Sequence, residues 1–407
     1  MIEIRPFRAL RPPRDKASLV ATRSYLTYSS ETIKEKLDHN PYTFLHIINP
    51  DYKSSKKTTG TTKFKLVKEK FHQFVKQGIL NKDLNEAYYI YQQSNHSNTF
   101  TGIIGASSVK DYLKNKIRRH EQTLSKREKM FCNYLNTTGF NAEPVLLSHE
   151  PSNEIKSILE EYTNTRAEYE FTTTNKSLHK LWLVNDTNNI KRITNAFKRI
   201  ETLYIADGHH RCASSALLSK RKKSKESKYF MSYLIDENQL NILNFNRLVK
   251  HTNNLTPEQL LDKIRKNYTI TNQTKENHQP TLKDEIHMYL DHKWYSLIAK
   301  KKKKKKNNKS AISDSLDPSV LSENILKPIL NIFDERTDKN ISFLDGRVSL
   351  SEIKEKIDNG EYAIAFILKP IPMSAIKEVA DNNEILPPKS TYVEPKLRSG
   401  LTIYPID

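Results

Sequence analysis

The sequence predicts a mixed α/β protein, and three features carry that prediction. Short runs rich in β-branched and aromatic residues, among them AYYIYQQ, FTGIIGA and YFMSYLI, recur between turn signals. Amphipathic helical patterns such as KFKLVKEKFHQFVKQGIL alternate with them. At 407 residues the chain exceeds what one hydrophobic core organises, so two or three units are expected. An apolar content of 36% is enough to build such cores and argues against global disorder.

Over residues 1–110 the runs FLHII, AYYIYQQ and FTGIIGA read as strands. Phe64, Leu66, Val67, Phe71, Phe74 and Val75 recur at helical spacing, with Gly78 where a C-cap stands. VKDYLKNKIRRHEQTLSKREKMFCNYL follows as one long charged helical pattern marked by Tyr112, Leu113, Ile117 and Leu124. A second cycle runs through the strand PVLLS, the helix NEIKSILEEY, the strands EYEFTT and HKLWLV, and the helix NIKRITNAFKRI. Beyond Leu218 the runs YFMSYLI and LNILNFNRLV read as strands joined by DENQ. The helix TPEQLLDKIRKNY opens on Thr256 with Glu258 and Gln259 behind it, a capping-box arrangement. The last third holds a capped helix SLSEIKEKIDNG, a buried strand EYAIAFILKP, a helix SAIKEVADNNEI and a loop-rich tail. No segment of 20–50 residues repeats, which excludes a solenoid.

Composition narrows the functional classes. Cys132 and Cys212 have neither a CxxC partner nor metal-ligand spacing, so no disulfide framework or zinc site is indicated and a reducing cytoplasm is expected. The start, MIEIRPFRALRPPRDK, lacks an apolar signal core, and no apolar stretch nears the roughly 20 residues that span a bilayer. The net charge of +20 suits a nucleic acid, an acidic membrane or a phosphorylated ligand alike. Seven of the lysines are contiguous, Lys300–Lys306, and read as a solvated loop after the strand-like WYSLIA. With nine glycines in all and no GxxxxGK[ST], a P-loop is excluded, and kinase-type HRD and DFG sets and the GxSxG elbow are also absent.

Chemistry concentrates in TLYIADGHHRCASSALL. The apolar TLYIAD fits a buried strand, and Cys212, Ala213, Ala216 and Leu217 make a helical stripe, so Asp207 and Gly208 fall at a strand-to-helix turn. Helix-start amides attract anions, Gly208 admits close approach, and His209, His210 and Arg211 add donors at the same point, which together suggest a phosphate site. The plainer alternative has Asp207 as an N-cap with the histidines as polar neighbours of the core. Adjacent histidines on a helix diverge by about 100°, so a shared metal is disfavoured. Two companions stand out. RRHEQT places His120 and Glu121 among cations, where a carboxylate stays ionised and can act as a general base, or where the helix face is simply solvated. LPPKSTYVEPKLRSGL is a proline-stiffened loop crowded with donors, including Lys389, Ser390, Thr391, Lys396 and Arg398.

The succession IRPFRALRP, NPYTFLHI, TFTGIIGA, IRRHEQT, YIADGHHR, LNFNRLV, DERTD and PPKSTYVEPKLRSGL resembles a widespread bacterial family of domains of unknown function marked by the YIADGHHR box, across essentially the whole chain. That family is similar to the free serine kinases, which phosphorylate L-serine to O-phospho-L-serine with ADP or ATP. The resemblance implies a ParB/sulfiredoxin-like nucleotidase core over 111–255, an added N-terminal α/β region over 1–110, and a C-terminal α/β segment over 256–407 that completes the site. It implies Glu121, on a helical HE pair, as catalytic base, with Asp207 and His209 also in the catalytic set. Gly208, His210, Arg211, Lys389, Ser390 and Thr391 would contact nucleotide and phosphate. His120, Phe245 and Arg398 would contact the amino acid, and Asp207 would hold part of a Mg²⁺ ion. One departure is Ser24-Tyr25-Leu26, where the family carries a PYD-like triplet.

The resulting expectation is a cytoplasmic phosphotransferase, with no membrane partner, that uses ATP or ADP and Mg²⁺ on free serine. Two alternatives stand beside it: a phosphoserine phosphatase-type hydrolase using the same groups, and a ParB-like regulator that binds nucleic acid through its basic surface.

Overall fold

AYYIYQQ becomes the strand Tyr88–Ser94, whose first four residues are buried on both faces. Tyr88 and Ile90 join a core with Ile103, Trp182, Phe197 and Leu234. On the opposite face the Tyr89 ring lies 5.3 Å from Phe7 between centroids, and its hydroxyl accepts from the Ala9 N–H at 2.9 Å. Hydrogen-bonded hydroxyls let the rings of Tyr88, Tyr89 and Tyr91 be buried without desolvated polar atoms.

The protein is described from a computed structural model, over residues 1–272, 279–282, 284–300 and 311–406. It divides into two units, the first made of residues 1–119, 123–240 and 395–407, the second of 120–122 and 241–394. The predicted mixed α/β class holds in each.

In the first unit a nine-stranded mixed sheet has the order Ile117–Arg118, Leu203–Asp207, Val145–His149, Tyr229–Asp236, Thr99–Ser108, Tyr88–Ser94, Leu178–Val184, Tyr169–Thr172, with Ile4–Arg5 also pairing Thr99–Ser108. The pairs of Leu203–Asp207 with Ile117–Arg118 and of Tyr229–Asp236 with Val145–His149 are parallel, and the others are antiparallel. The second unit holds a six-stranded antiparallel sheet, Tyr268–Asn272, Lys293–Ala299, Glu285–Leu290, Ile364–Ile367, Phe245–Val249, Ile341–Asp345. Its core gathers Leu260, Ile264, Met288, Leu297, Leu326 and Phe366. The helix Pro257–Arg265 opens on the expected capping box of Thr256 and Gln259.

The long helix expected from Val109 onward is interrupted. Val109–Leu113 is a short helix, Asn115 takes a left-handed φ of 55°, and Ile117–Arg118 turns extended to pair with Leu203–Tyr204 before the helix Ser125–Thr138 begins. Burial of Ile117 in the sheet core outweighs the helical propensity of the charged sequence around it. His120 and Glu121 therefore lie in a loop rather than on a helix. FLHII also departs from expectation: Leu45–Ile48 is a helical turn with Leu45 and Ile47 buried, since a short apolar run fits either periodicity. LNILNFNRLV breaks at Asn244 into Asn241–Leu243 and Phe245–Val249, and the tail contains the strand Tyr392–Glu394, paired with Asn241–Leu243. On His209–Arg221 the buried set includes Leu218 rather than Leu217. Lys300 donates to the Arg265 carbonyl at 2.7 Å, and the rest of the lysine run lies outside the described residues. Both cysteines are free and buried. No helix among the described residues is long and apolar enough to cross a membrane.

Gly102 faces the next strand so closely that a Cβ would stand 2.4 Å from the Leu234 carbonyl oxygen and 2.8 Å from the Tyr233 ring. Gly102→Ala is expected to lower stability by about 1–3 kcal/mol, the usual cost of overpacking. Equilibrium urea unfolding checks this, and a midpoint unchanged from wild type would contradict the sheet register.

Candidate functional site

The strand Leu203–Asp207 owes its functional end to a bulge. Ile205 pairs with Leu147 while Asp207 pairs with Leu146, so Ala206 is the extra residue, and such insertions re-aim the side chain that follows. Gly208 then takes φ 103°, ψ 28° as the N-cap of His209–Arg221, with no side chain capping the helix. The backbone angle requires glycine there, and a Cβ, 2.8 Å from Arg211 Nε, would displace the guanidinium folded over it.

Asp207 is thus no N-cap. Its Oδ2 accepts from Arg211 Nη2 at 2.9 Å and its Oδ1 from Lys396 Nζ at 3.3 Å. Arg211 Nη1 donates to the Pro144 carbonyl at 2.9 Å and pairs with Glu143 Oε2 at 3.1 Å. Burial raises the Asp207 pKa, yet Lys396 and Arg211 outweigh it and hold the carboxyl below the usual range. Burial likewise opposes the Arg211 charge, but Glu143 and Asp207 keep its pKa raised. The corner is a chain of alternating charge, Glu143, Arg211, Asp207, Lys396, whose Asp207 side chain remains 41% exposed.

His209 is buried, and desolvation with His210, Arg119 and Arg211 nearby brings its pKa down to about 3 despite Asp207, so it is neutral at pH 7. His210 is half-buried. Behind them Cys212 is fully buried and its thiol is pushed well up, which leaves it unreactive. Arg398, also in the first unit, is buried beside Thr173 and Asn175.

The other predicted site residues fall in the second unit. The Leu386 N–H donates to the His120 carbonyl at 2.9 Å, which fastens the His120–Gln122 tripeptide to the start of the PPKST loop. His120 is buried and Glu121 half-buried. Lys389 takes φ 56°, and its ammonium lies 4.9 Å from the centroid of Phe245, itself 5.8 Å from the Tyr392 ring. Ser390 is buried and donates to the Pro387 carbonyl at 2.7 Å, while Thr391 is half-buried. The HE pair, Phe245 and the PPKST loop therefore form one cluster, and the DGHHR corner with Lys396 and Arg398 forms another.

The sequence did not reveal the pairing of Lys396 and Glu143 with the corner, nor a cavity in the second unit. Lys396 was visible only as one donor among many, Glu143 in NAEP carried no signal, and a cavity of about 350 Å³ in the second unit is lined by Ser313, Ser322, Glu335, Leu386, Pro387 and Pro388. Glu335 belongs to DERTD and lies 3.5 Å from the buried Arg247. Among the described residues no group of three or more His, Cys, Asp or Glu is arranged to hold a metal.

These features define a two-unit α/β protein with one charged strand-to-helix corner and one loop-borne HE cluster. Residues 4–319 match the family described as a protein of unknown function, DUF1015, and the chain belongs to that family. No curated protein matches it. Solved structures similar to it include a free serine kinase in complex with AMP, at 12% identity over 74% of this chain and 91% of that one, TM-score 0.38. Others are a conserved hypothetical protein from Pyrococcus furiosus, 13% identity over 74% and 94%, TM-score 0.38, and SbnI with a C-terminal truncation from Staphylococcus aureus, 13% over 74% and 87%, TM-score 0.39. All three likenesses are remote.

The neutral histidines set an acid dependence. His209 and the equally buried His179 each have a pKa near 3 in the fold, against about 6.5 in an unfolded chain. Both pKa values are depressed, so stability is complete above about pH 6.5 and falls as the pH drops toward 3, where the unfolded state binds more protons. At pH 5 each histidine is expected to remove about 2 kcal/mol, and Asp207 acts in the same direction at lower pH. Urea unfolding at pH 7 and pH 5 should show a smaller pH penalty in His209→Gln and in His179→Gln than in wild type. Equal penalties in all three proteins would rule the assignment out.

Proposed function

We propose that the protein is a small-molecule phosphotransferase, an ATP- or ADP-dependent kinase of free L-serine that yields O-phospho-L-serine. The observation that carries this reading is the Asp207 corner: an ionised carboxylate, partly exposed, held between Arg211 and Lys396 at the uncapped N-terminus of a 13-residue helix. Preorganised cations and helix-start amides at one point are what phosphoryl transfer needs, because its catalysis is chiefly positioning and charge stabilisation.

In this proposal Glu121 takes the proton of the serine hydroxyl. Gly208 admits the phosphates to the helix start, and His210, Arg211 and Lys389 offset their charge, while Ser390 and Thr391 orient phosphoryl oxygens. Neutral His209 donates or accepts a hydrogen bond without adding charge. His120, Phe245 and Arg398 contact the amino acid. A Mg²⁺ ion would supply charge neutralisation between phosphates. Asp207 suits it chemically, since each carboxylate oxygen keeps a further lone pair beyond those used by Arg211 and Lys396. The finer fold assignment, a ParB/sulfiredoxin-like nucleotidase core with residues 1–110 as an added region, belongs to the same proposal, as does a cytoplasmic setting.

The test is direct. Incubation with L-serine, Mg²⁺ and either ATP or ADP should give phosphoserine, and Glu121→Gln should lower turnover by about 10²–10⁴-fold, the usual worth of a general base. Thermal shifts with nucleotide should be unchanged in that variant, since ligand stabilisation tracks occupancy of the native state. Release of phosphate from phosphoserine without nucleotide would replace the kinase with a hydrolase. Salt-sensitive retention of DNA with neither reaction would replace both with a nucleic-acid regulator.

A further inference from the structure

An isolated antiparallel bridge joins Thr22 and Ser399, with Thr22 N donating to Ser399 O at 3.1 Å and Ser399 N to Thr22 O at 2.8 Å. In an antiparallel pair the residue after one partner lies beside the residue before the other, so the bridge sets Arg23 next to Arg398. Like charges so placed repel. Arg23 lies over the Tyr28 ring, 4.8 Å from its centroid, with its backbone N–H on the Tyr28 hydroxyl at 3.0 Å.

Arg398 is 7% exposed and is met by neutral groups. Its Nη2 donates to Thr173 Oγ1 at 3.2 Å and Asn175 Oδ1 at 3.1 Å, the Tyr28 hydroxyl is a further partner, and its Nε is buried with no hydrogen-bond partner. The charges and phenols that act on it are Tyr91, Tyr28 and Arg23, and burial together with Arg23 disfavours its charged form. Nearby His179 is fully buried, bound through Nδ1 to the Tyr91 hydroxyl at 2.7 Å, with Nε2 lacking a partner. Among the described residues no carboxylate stands within ion-pair distance of either arginine. A guanidinium taken out of water without a counterion is strongly unfavourable, and a second cation beside it compounds the cost. All of these groups belong to the first unit.

We infer that Arg23 and Arg398, with Thr173 and Asn175, form a built site for the oxyanion of a small ligand, a carboxylate or a phosphoryl group. The planar fork of Arg398, anchored at Nη2 and with its buried Nε left without a partner, is suited to either. Lys396, two residues earlier on the same segment, holds Asp207, so one stretch of chain serves both the corner and this site. The identity of the anion, though not the site itself, rests on the proposed function: under that reading it is the α-carboxylate of the amino acid.

Isothermal titration calorimetry on the full chain at low salt tests the site with L-serine, L-serinamide, inorganic phosphate and ADP. Wild type should bind L-serine or phosphate. Arg23→Gln and Arg398→Gln should weaken that binding roughly tenfold or more, as loss of hydrogen bonds to a charged group does. Arg398→Lys should recover part of the affinity, and where the anion is a carboxylate ADP binding should stay within twofold of wild type in Arg23→Gln. Serine bound with serinamide silent assigns a carboxylate, and phosphate bound alone assigns a phosphoryl group. Arg23 is half-buried, so its glutamine variant should fold even if that of Arg398 does not. Anion binding unchanged in Arg23→Gln, or neither anion binding wild type, overturns the inference. Arg23-dependent anion binding without phosphoserine formation keeps the site and removes the kinase, whereas phosphoserine formation with an unchanged serine KM in Arg23→Gln does the reverse.

Discussion

The corner depends on the backbone on either side of Asp207. The bulge at Ala206 turns the Asp207 side chain to where Lys396 and Arg211 reach it, and the positive φ of Gly208 starts a helix whose third residue is Arg211. An ordinary register would leave Asp207 as one more alternating strand residue. A non-glycine residue at 208 would be strained and would displace the guanidinium. The electrostatics follow from this geometry, because the cations that it sets beside the carboxylate outweigh burial and hold the carboxyl below its usual range.

One of those cations, Lys396, arrives from the far end of the chain, and long-range pairing holds that end in the first unit. Leu10 and Ile403 exchange backbone hydrogen bonds at 2.9 Å, Thr22 pairs with Ser399, and Tyr404–Pro405 pairs with Phe140–Asn141. The Phe7 and Tyr404 rings meet edge to face at 5.1 Å, and Arg5 Nη2 donates to the Tyr404 hydroxyl at 3.0 Å. Lys396 and Arg398 are thus placed by contacts that close only when both ends of the chain have folded. Pairings of such sequence separation form late and slowly, so the charged groups come together after the sheet that supports them.

Much of this was legible in the sequence and some was not, for identifiable reasons. The strands Tyr88–Ser94, Thr99–Ser108 and Tyr229–Asp236, the helix Gly60–Lys76 and the strand-to-helix turn at Asp207–Gly208 all follow from local pattern. The helix expected across His120 and Glu121 fails because Ile117 has a partner, Leu203, that lies far along the chain and leaves no local mark. The strand expected at Leu45–Ile48 fails because three apolar residues and a histidine carry no usable period. Lys396 as the partner of Asp207 was invisible for the first reason, and Glu143 for a plainer one: a single glutamate on a turn looks like any other. Residue types were readable at the corner, whereas their pairing was not, since pairing is set by tertiary contacts.

How the fold treats its other enclosed arginines sharpens the meaning of Arg398. Arg11 reaches Asp83 at 2.7 Å, Glu168 at 3.0 Å and the Tyr169 hydroxyl at 2.7 Å. Arg211 stands between Glu143 and Asp207. Arg247, the most deeply buried, has Glu335 at 3.5 Å, the Phe245 carbonyl at 2.7 Å and the Phe343 ring at 5.4 Å. Carboxylates are in deficit in a chain of net charge +20, yet they are placed where guanidiniums leave water. At Arg398 the fold supplies hydroxyls and an amide instead and adds a second arginine. Were the fold optimised for stability alone, an acid at 173 or 175 would neutralise that charge at little cost in backbone geometry, because both residues already lie within hydrogen-bond distance of the guanidinium. Neutral partners in those two places leave the positive charge uncancelled, which is the condition under which an incoming anion gains most from binding there.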